Sequence, residues 1–139
     1  MNAGLLGMAG GPQRIVCLTE ETTEWLYLLG EERRIAGISG YTVRPRRARD
    51  EKPKVSAFTS AKLDKILALE PDLVLGFSDM QAYIAAALIR AGLPVMVFNQ
   101  RSVAQIADML AQLAALVGAA ERGQALLLQF EERLALIQK

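Results

Sequence analysis

KLDKILALEPDLV, residues 62 to 74, joins a short amphipathic segment to an apolar run through Glu70, Pro71 and Asp72. Leu63, Ile66, Leu67 and Leu69 recur at helical spacing, so one face is apolar while Lys62, Asp64, Lys65 and Glu70 stay in water. Pro71 ends the helix. It has no N–H to donate and disfavours helical geometry at Glu70, so the chain is expected to leave in an extended path. Leu73, Val74 and Leu75 then suit a strand buried on both faces. Helix, proline turn and buried strand together predict an α/β sheet protein.

The flanking sequence repeats this alternation. Ile15 to Leu18 reads as a strand, followed by Thr19 as an N-cap, with Glu20 and Glu21 favourably placed at the positive end of a helix running to about Leu29. Gly30 stops that helix. A second strand is expected near Ile35 to Ser39, and Gly40 to Pro53 is read as a long polar loop of the kind that is often functional. Ser78 and Gln81 fit a capping box opening a helix to about Ala91, closed by Gly92. Pro94 to Phe98 is the fourth main strand expected. Ser102 and Gln105 repeat the capping-box pattern and open a helix with Val103, Ile106, Ala107, Leu110, Leu113 and Val117 as its apolar stripe, ended by Gly118. Alternating strands and helices imply right-handed crossovers and a mostly parallel, Rossmann-like sheet flanked by helices. In the last segment, Leu127, Phe130, Leu134 and Ile137 form an apolar seam that needs a partner, and another copy of the chain would supply one.

Four pieces in order carry a family resemblance. They are RIVCLTEETTEWLYLLG at 14–30, with its Thr23-Glu24 pair and closing Leu-Gly; IAGISGY at 35–41; the Lys62 to Val74 junction; and the run through Gly92, Leu93, Pro94 and Val95. Over roughly residues 14 to 118 the chain resembles the N-terminal lobe of the helical-backbone substrate-binding proteins that serve importers of cobalamin and ferric siderophores. The resemblance implies three parts: an N-terminal stretch 1–13, the lobe 14–118, and a helix 119–139 corresponding to the start of the helix that leads to a second lobe. It also implies a periplasmic setting and an ABC transporter's membrane subunit as partner.

Length and composition agree with one compact lobe. A chain of 139 residues with 52% hydrophobic composition can build a core without disulfides. The formal charge of +1 is too small to drive nucleic-acid binding through a global field. Cys17 is the one cysteine and reads as a small core residue. Met1 to Gln13 has no basic residue before its short, glycine-broken apolar run and makes a poor secretory signal. The sequence is therefore read either as starting after a removed leader or as acting inside the cell.

The chain contains no histidine, which excludes histidine-based metal sites and histidine acid–base catalysis, and a single cysteine makes no thiolate cluster. No intrinsic cofactor is expected. Gly-x-Ser-x-Gly is absent, and Gly7, Gly10 and Gly11 precede the first strand, whereas a dinucleotide loop must follow one. A binding protein is expected rather than an enzyme, with a nucleotide-dependent domain and a non-binding assembly lobe as alternatives.

Open α/β sheets place ligands at the carboxyl ends of their strands. Thr19, Glu20, Ser78 and Asn99 fall there, offering backbone amides and polar side chains to a cleft. The resemblance adds specific roles. Tyr41 matches a tyrosine that faces the corrin ring in cobalamin-binding relatives, and Phe58 matches an aromatic, usually tryptophan, packed on the same ligand. Glu20 stands where the family usually has proline. Asp64 matches an acidic residue, more often glutamate, that docks on arginines of the transporter. Arg44, Arg46, Arg47 and Arg49 form a basic run beside Tyr41, read as a solvated loop or as contacts for anionic ligand groups, which a ferric siderophore would supply.

Overall fold

The computed structural model describes residues 10–56, 62–78 and 81–137. Among these, five strands form one parallel sheet in the order β3-β2-β1-β4-β5: β1 Ile15–Cys17, β2 Ile35–Ser39, β3 Lys54–Ser56, β4 Leu73–Phe77 and β5 Val95–Phe98. Six α-helices connect and cover them: α1 Glu20–Leu28, α2 Arg46–Glu51, α3 Leu63–Ala68, α4 Ala82–Arg90, α5 Val103–Leu116 and α6 Ala120–Ile137. The expected α/β fold is present. β1 is central, pairs with β2 on one side and β4 on the other, and is buried along its length.

The sheet separates two cores. Ile15, Cys17, Ile38, Leu73 and Leu75 face α1 and α5, where Trp25, Leu26, Met109 and Leu113 meet them. Val16, Val55 and Val74 face the other way, towards Ile66 of α3 and Ile84 and Leu88 of α4. Strand alternation thus feeds both layers, as a doubly wound sheet requires.

Three helices end in one hydrogen-bond pattern. After α1, Gly30 N–H donates to Tyr27 O and Glu31 N–H to Leu26 O; after α4 the pairs are Gly92 to Ile89 and Leu93 to Leu88; after α5 they are Gly118 to Ala115 and Ala119 to Ala114. Each glycine has a positive φ, so the predicted stops are Schellman caps.

Several expectations need correction. Glu70 is not extended: its φ is +50° and its N–H reaches Leu67 O, which makes it the left-handed cap of α3. The following proline disfavours right-handed helix at this position and lacks the N–H that would complete the second bond of the cap. Leu67 is exposed, and Ile66 carries the buried face with Leu63 and Leu69 packed beside it. The polar loop of 40–53 contains α2, and Lys54–Ser56 forms an edge strand the sequence pattern does not predict, so Pro94 precedes a fifth strand rather than belonging to a fourth. β3 has one fully buried side chain, Val55, too little pattern for a strand to be read. On α5 the buried positions are Met109, Leu113 and Ala114, with Val117 buried at its C-cap, while Val103 and Ile106 are exposed. The expected stripe therefore holds only in the second half of that helix.

Burial pushes the Cys17 thiol up to about 11, against the smaller pull of hydrogen bonds with Thr22 and Thr23. In the native protein this thiol is expected to resist thiol reagents at pH 8 and to react on unfolding. The folded state keeps a proton that the unfolded chain releases at lower pH. The stability it contributes is therefore complete below the unfolded thiol's value and fades as pH rises towards about 11. Urea midpoints should respond to the caps as well. Gly30→Ala is expected to cost about 1 kcal/mol, and Glu70→Gly to add about 0.5 kcal/mol by relieving a left-handed side chain against a floppier unfolded state.

Candidate functional site

Strand order reverses between β1 and β4, and the carboxyl ends of these two strands form the edge where a doubly wound sheet offers a site. Gln81 closes that junction. Its Oε1 accepts the Phe77 N–H at 2.7 Å and its Nε2 donates to Leu18 O at 3.1 Å, so one buried amide ties the end of β4 to the end of β1. The capping-box expectation is altered accordingly. Gln81 reaches the N–H of Phe77 rather than that of Ser78, which donates to Phe98 O, and α4 starts at Ala82. At Ser102 the box forms more nearly as expected: Ser102 Oγ accepts the Gln105 N–H, while Gln105 Oε1 takes the N–H of Arg101.

Thr19 is the N-cap residue of α1, but its hydroxyl pairs with Thr22 Oγ1 at 2.9 Å instead of capping the backbone. Thr22 and Thr23 both donate to Thr19 O. Thr19 and Ser78 are buried at 3% and 5% exposure, so of the residues expected at this edge Glu20, Tyr41 and Asn99 have accessible side chains. Glu20 and Glu21 occupy the helix terminus where a nucleotide phosphate would have to sit, and like charge opposes it there. The closed junction and this acidic turn count against the nucleotide-dependent alternative.

Tyr41 stands in the turn after β2, 65% exposed, with its N–H donated to Ser39 Oγ. Thr42 beside it is fully buried and Val43 is exposed. The basic run is largely committed within the protein. Arg44 lies 3.8 Å from Glu20 and 3.6 Å from Glu24. Arg47 contacts Glu32 at 3.1 Å and lies over the Tyr27 ring at 4.7 Å. Arg49 Nη1 binds the carbonyls of Gly40 and Thr42. Arg46 is exposed. Burial and the Glu51 carboxylate push the Tyr27 phenol up to about 12, so it stays a neutral donor to Glu51 Oε1.

Asp64 is exposed in the first turn of α3, and Phe58 lies outside the described residues. No cluster of three or more histidine, cysteine, aspartate or glutamate side chains is placed to hold a metal ion among the described residues. Nor is any helix there long and apolar enough to cross a membrane. Sequence reading missed two residues of this edge. The sequence pattern suggests a helix cap for Gln81 and a solvated loop or an anion contact for Arg49; only the positions of Leu18 and Gly40 in space give them their roles.

A concavity of about 580 Å³ lies between α1, α5 and α6 and reaches Phe77 at the end of β4 and Gln100 just after β5. Its walls include Trp25, Ile106, Leu110, Leu127 and Phe130, with Glu24 and Arg133 among the polar lining. Trp25 Nε1 donates to Leu110 O at 2.8 Å and fixes the wall between α1 and α5. α6 comes close because Gly123 has no side chain: a Cβ there would lie 2.5 Å from the Ala114 Cβ. The predicted seam is therefore covered at its start, at Leu127, and open towards Phe130 and Ile137.

The sequence profile of the family described as Periplasmic binding protein matches residues 15–139. The vitamin B12-binding protein of Vibrio campbellii is 31% identical over 128 residues, which span 91% of this chain and 46% of the relative. The crystal structure of the periplasmic vitamin B12 binding protein of Vibrio cholerae superposes with a TM-score of 0.79 at 25% identity, over 90% of this chain and 49% of that one. A periplasmic heme binding protein from Pseudomonas aeruginosa gives a TM-score of 0.81 at 26% identity, over 89% and 45% respectively. The chain spans about half the length of each.

Gln81→Leu is expected to lower unfolding free energy by about 1–3 kcal/mol, the cost of leaving a buried N–H and carbonyl unpaired, as read from urea titration. Gln81→Glu keeps the acceptor for Phe77 but turns a carboxylate against Leu18 O. Its deficit should be larger at pH 7 and shrink as the carboxyl protonates in acid.

Proposed function

The chain belongs to the periplasmic binding protein family, and on that premise we propose that it is a ligand-binding lobe that holds a corrinoid such as cobalamin for delivery to an ABC importer. The observation that carries this reading is Tyr41. An exposed phenol ring sits on a hydrogen-bonded turn at the carboxyl edge of a parallel sheet, in a chain 31% identical to a vitamin B12-binding protein. Aromatic faces suit a large flat macrocycle because they bury area at small entropic cost. Phe58 would pack on the same ligand, with Glu20 and Asn99 as polar edges and the turns at Thr19 and Ser78 beneath them. Binding energy comes from burying the macrocycle, and no bond is made or broken.

Two further parts complete the proposal. Asp64, charged and exposed at the start of α3, would meet arginines of the importer's membrane subunit in the periplasm. The ligand's other face would be covered by a second α/β unit or by another copy of the chain. The groove beside α6, with Phe130 half exposed, favours a docked partner and keeps the assembly reading as the second one. A ferric siderophore is less favoured. Of the arginines that would answer its negative charge, Arg44, Arg47 and Arg49 are turned onto Glu20, Glu24, Glu32 and the Tyr41 turn, which leaves Arg46.

Sedimentation velocity with cobalamin, followed in protein absorbance and in the corrin's visible band, tests ligand and oligomeric state together. Corrin is expected to co-sediment, to resist competition by a ferric siderophore, and to lose at least about tenfold in affinity in Tyr41→Ala, the scale of one aromatic contact. Folded protein that leaves all corrin behind would overturn the corrinoid reading. A dimer unaffected by Tyr41→Ala and empty of ligand would favour assembly instead.

A further inference from the structure

Arg49 makes contacts unlike those of the other arginines in its run. Its Nη1 donates to Gly40 O at 3.0 Å and to Thr42 O at 2.9 Å, the carbonyls on either side of Tyr41. The same turn is held from beneath: Gly40 N–H donates to Ser56 O, Tyr41 N–H to Ser39 Oγ and Thr42 N–H to Ser39 O. Three successive N–H groups therefore have acceptors, and two carbonyls converge on one cation. Thr42 is fully buried, so the far end of the turn cannot lift away. Arg49 is itself anchored, because it lies in α2 and its own carbonyl accepts from Lys54 Nζ. What remains free is the Tyr41 side chain, projecting from a fixed backbone.

We infer that Arg49 is the positioning residue for ligand capture: by bridging the carbonyls on both sides of Tyr41 it fixes the turn and aims the phenol ring at a flat apolar ligand. The inference rests on the reading of Tyr41 as a ligand contact. Its physical content is preorganisation. A turn ordered before binding does not have to be ordered by the ligand, so that cost is absent from the measured affinity. The charge of Arg49 is spent on backbone oxygens, so its effect does not depend on ligand charge. Arg46, exposed on the same short helix, serves as the control.

The test uses the full chain labelled with 3-fluorotyrosine, which reports Tyr27, Tyr41 and Tyr83 separately by fluorine NMR. Arg49→Ala is expected to move the Tyr41 resonance towards the position of the free amino acid. Tyr83 should hold its place, and Arg46→Ala should leave Tyr41 where it is. A Tyr41 resonance unmoved in Arg49→Ala overturns the inference, with or without ligand. Titration with cobalamin then reads the functional consequence: Arg49→Ala should weaken binding about fivefold to tenfold, with the double variant Tyr41→Ala/Arg49→Ala no weaker than Tyr41→Ala alone. Additive losses would mean that Arg49 acts other than through Tyr41 and would overturn it too. A wild-type chain that takes up no cobalamin removes the corrinoid reading, while the Tyr41 resonance still decides whether Arg49 sets the turn.

Discussion

The contact between β1 and β4 is the constraint on which the rest of this fold depends. Here strand order reverses, and two strands nearly sixty residues apart in sequence must stay in register without a hairpin to align them. Side chains clamp both ends. At the amino end, the Asp72 carboxylate accepts the N–H groups of Gln13 at 2.7 Å and Arg14 at 2.9 Å, while Asp72 N–H donates to Arg14 O. At the carboxyl end, Gln81 joins Phe77 to Leu18. Between the clamps every side chain of β1 is buried, so a slip of one residue would exchange the two cores.

Because both ends are tied, the gap between the carboxyl ends of β1 and β4 is closed. Gln81 fills the place between the strand ends, and the acidic first turn of α1 resists a phosphate. What remains accessible is a surface bearing Tyr41 and bordered by Glu20, Arg44 and Asn99. In the proposed reading, the ligand lies across this edge rather than between the ends of β1 and β4. The arginines nearby bind the protein's own carboxylates and carbonyls, and so shape the edge more than they charge it.

α6 imposes a different requirement. Gly123 lets it approach α5 and Trp25 closely at its start, yet Phe130, Leu136 and Ile137 remain exposed further along. An amphipathic helix half covered by its own lobe leaves apolar area for another surface, and the groove next to it provides the matching concavity. In the proposed reading, the lobe thus meets ligand on one face and a protein partner on another.

Local chemistry made most of the architecture legible in the amino-acid order. Glycines past helix ends, proline after Glu70 and apolar runs of strand length act over a few residues, and they carried the alternation of elements and the parallel sheet. The same locality explains the misreadings: β3 has too little buried pattern to register, and Glu70 was assigned an extended backbone although its helix needed a left-handed cap. At the site, the sequence alone put Tyr41 after β2 and an acidic turn after β1, since both follow directly from strand ends. It could not assign Gln81 to Leu18, Arg49 to the carbonyls around Tyr41, or Asp72 to the start of β1. Those partners are distant in the chain or reached only when the turn has folded back, and a hydrogen bond acts across about 3 Å of space whatever the number of residues between its ends.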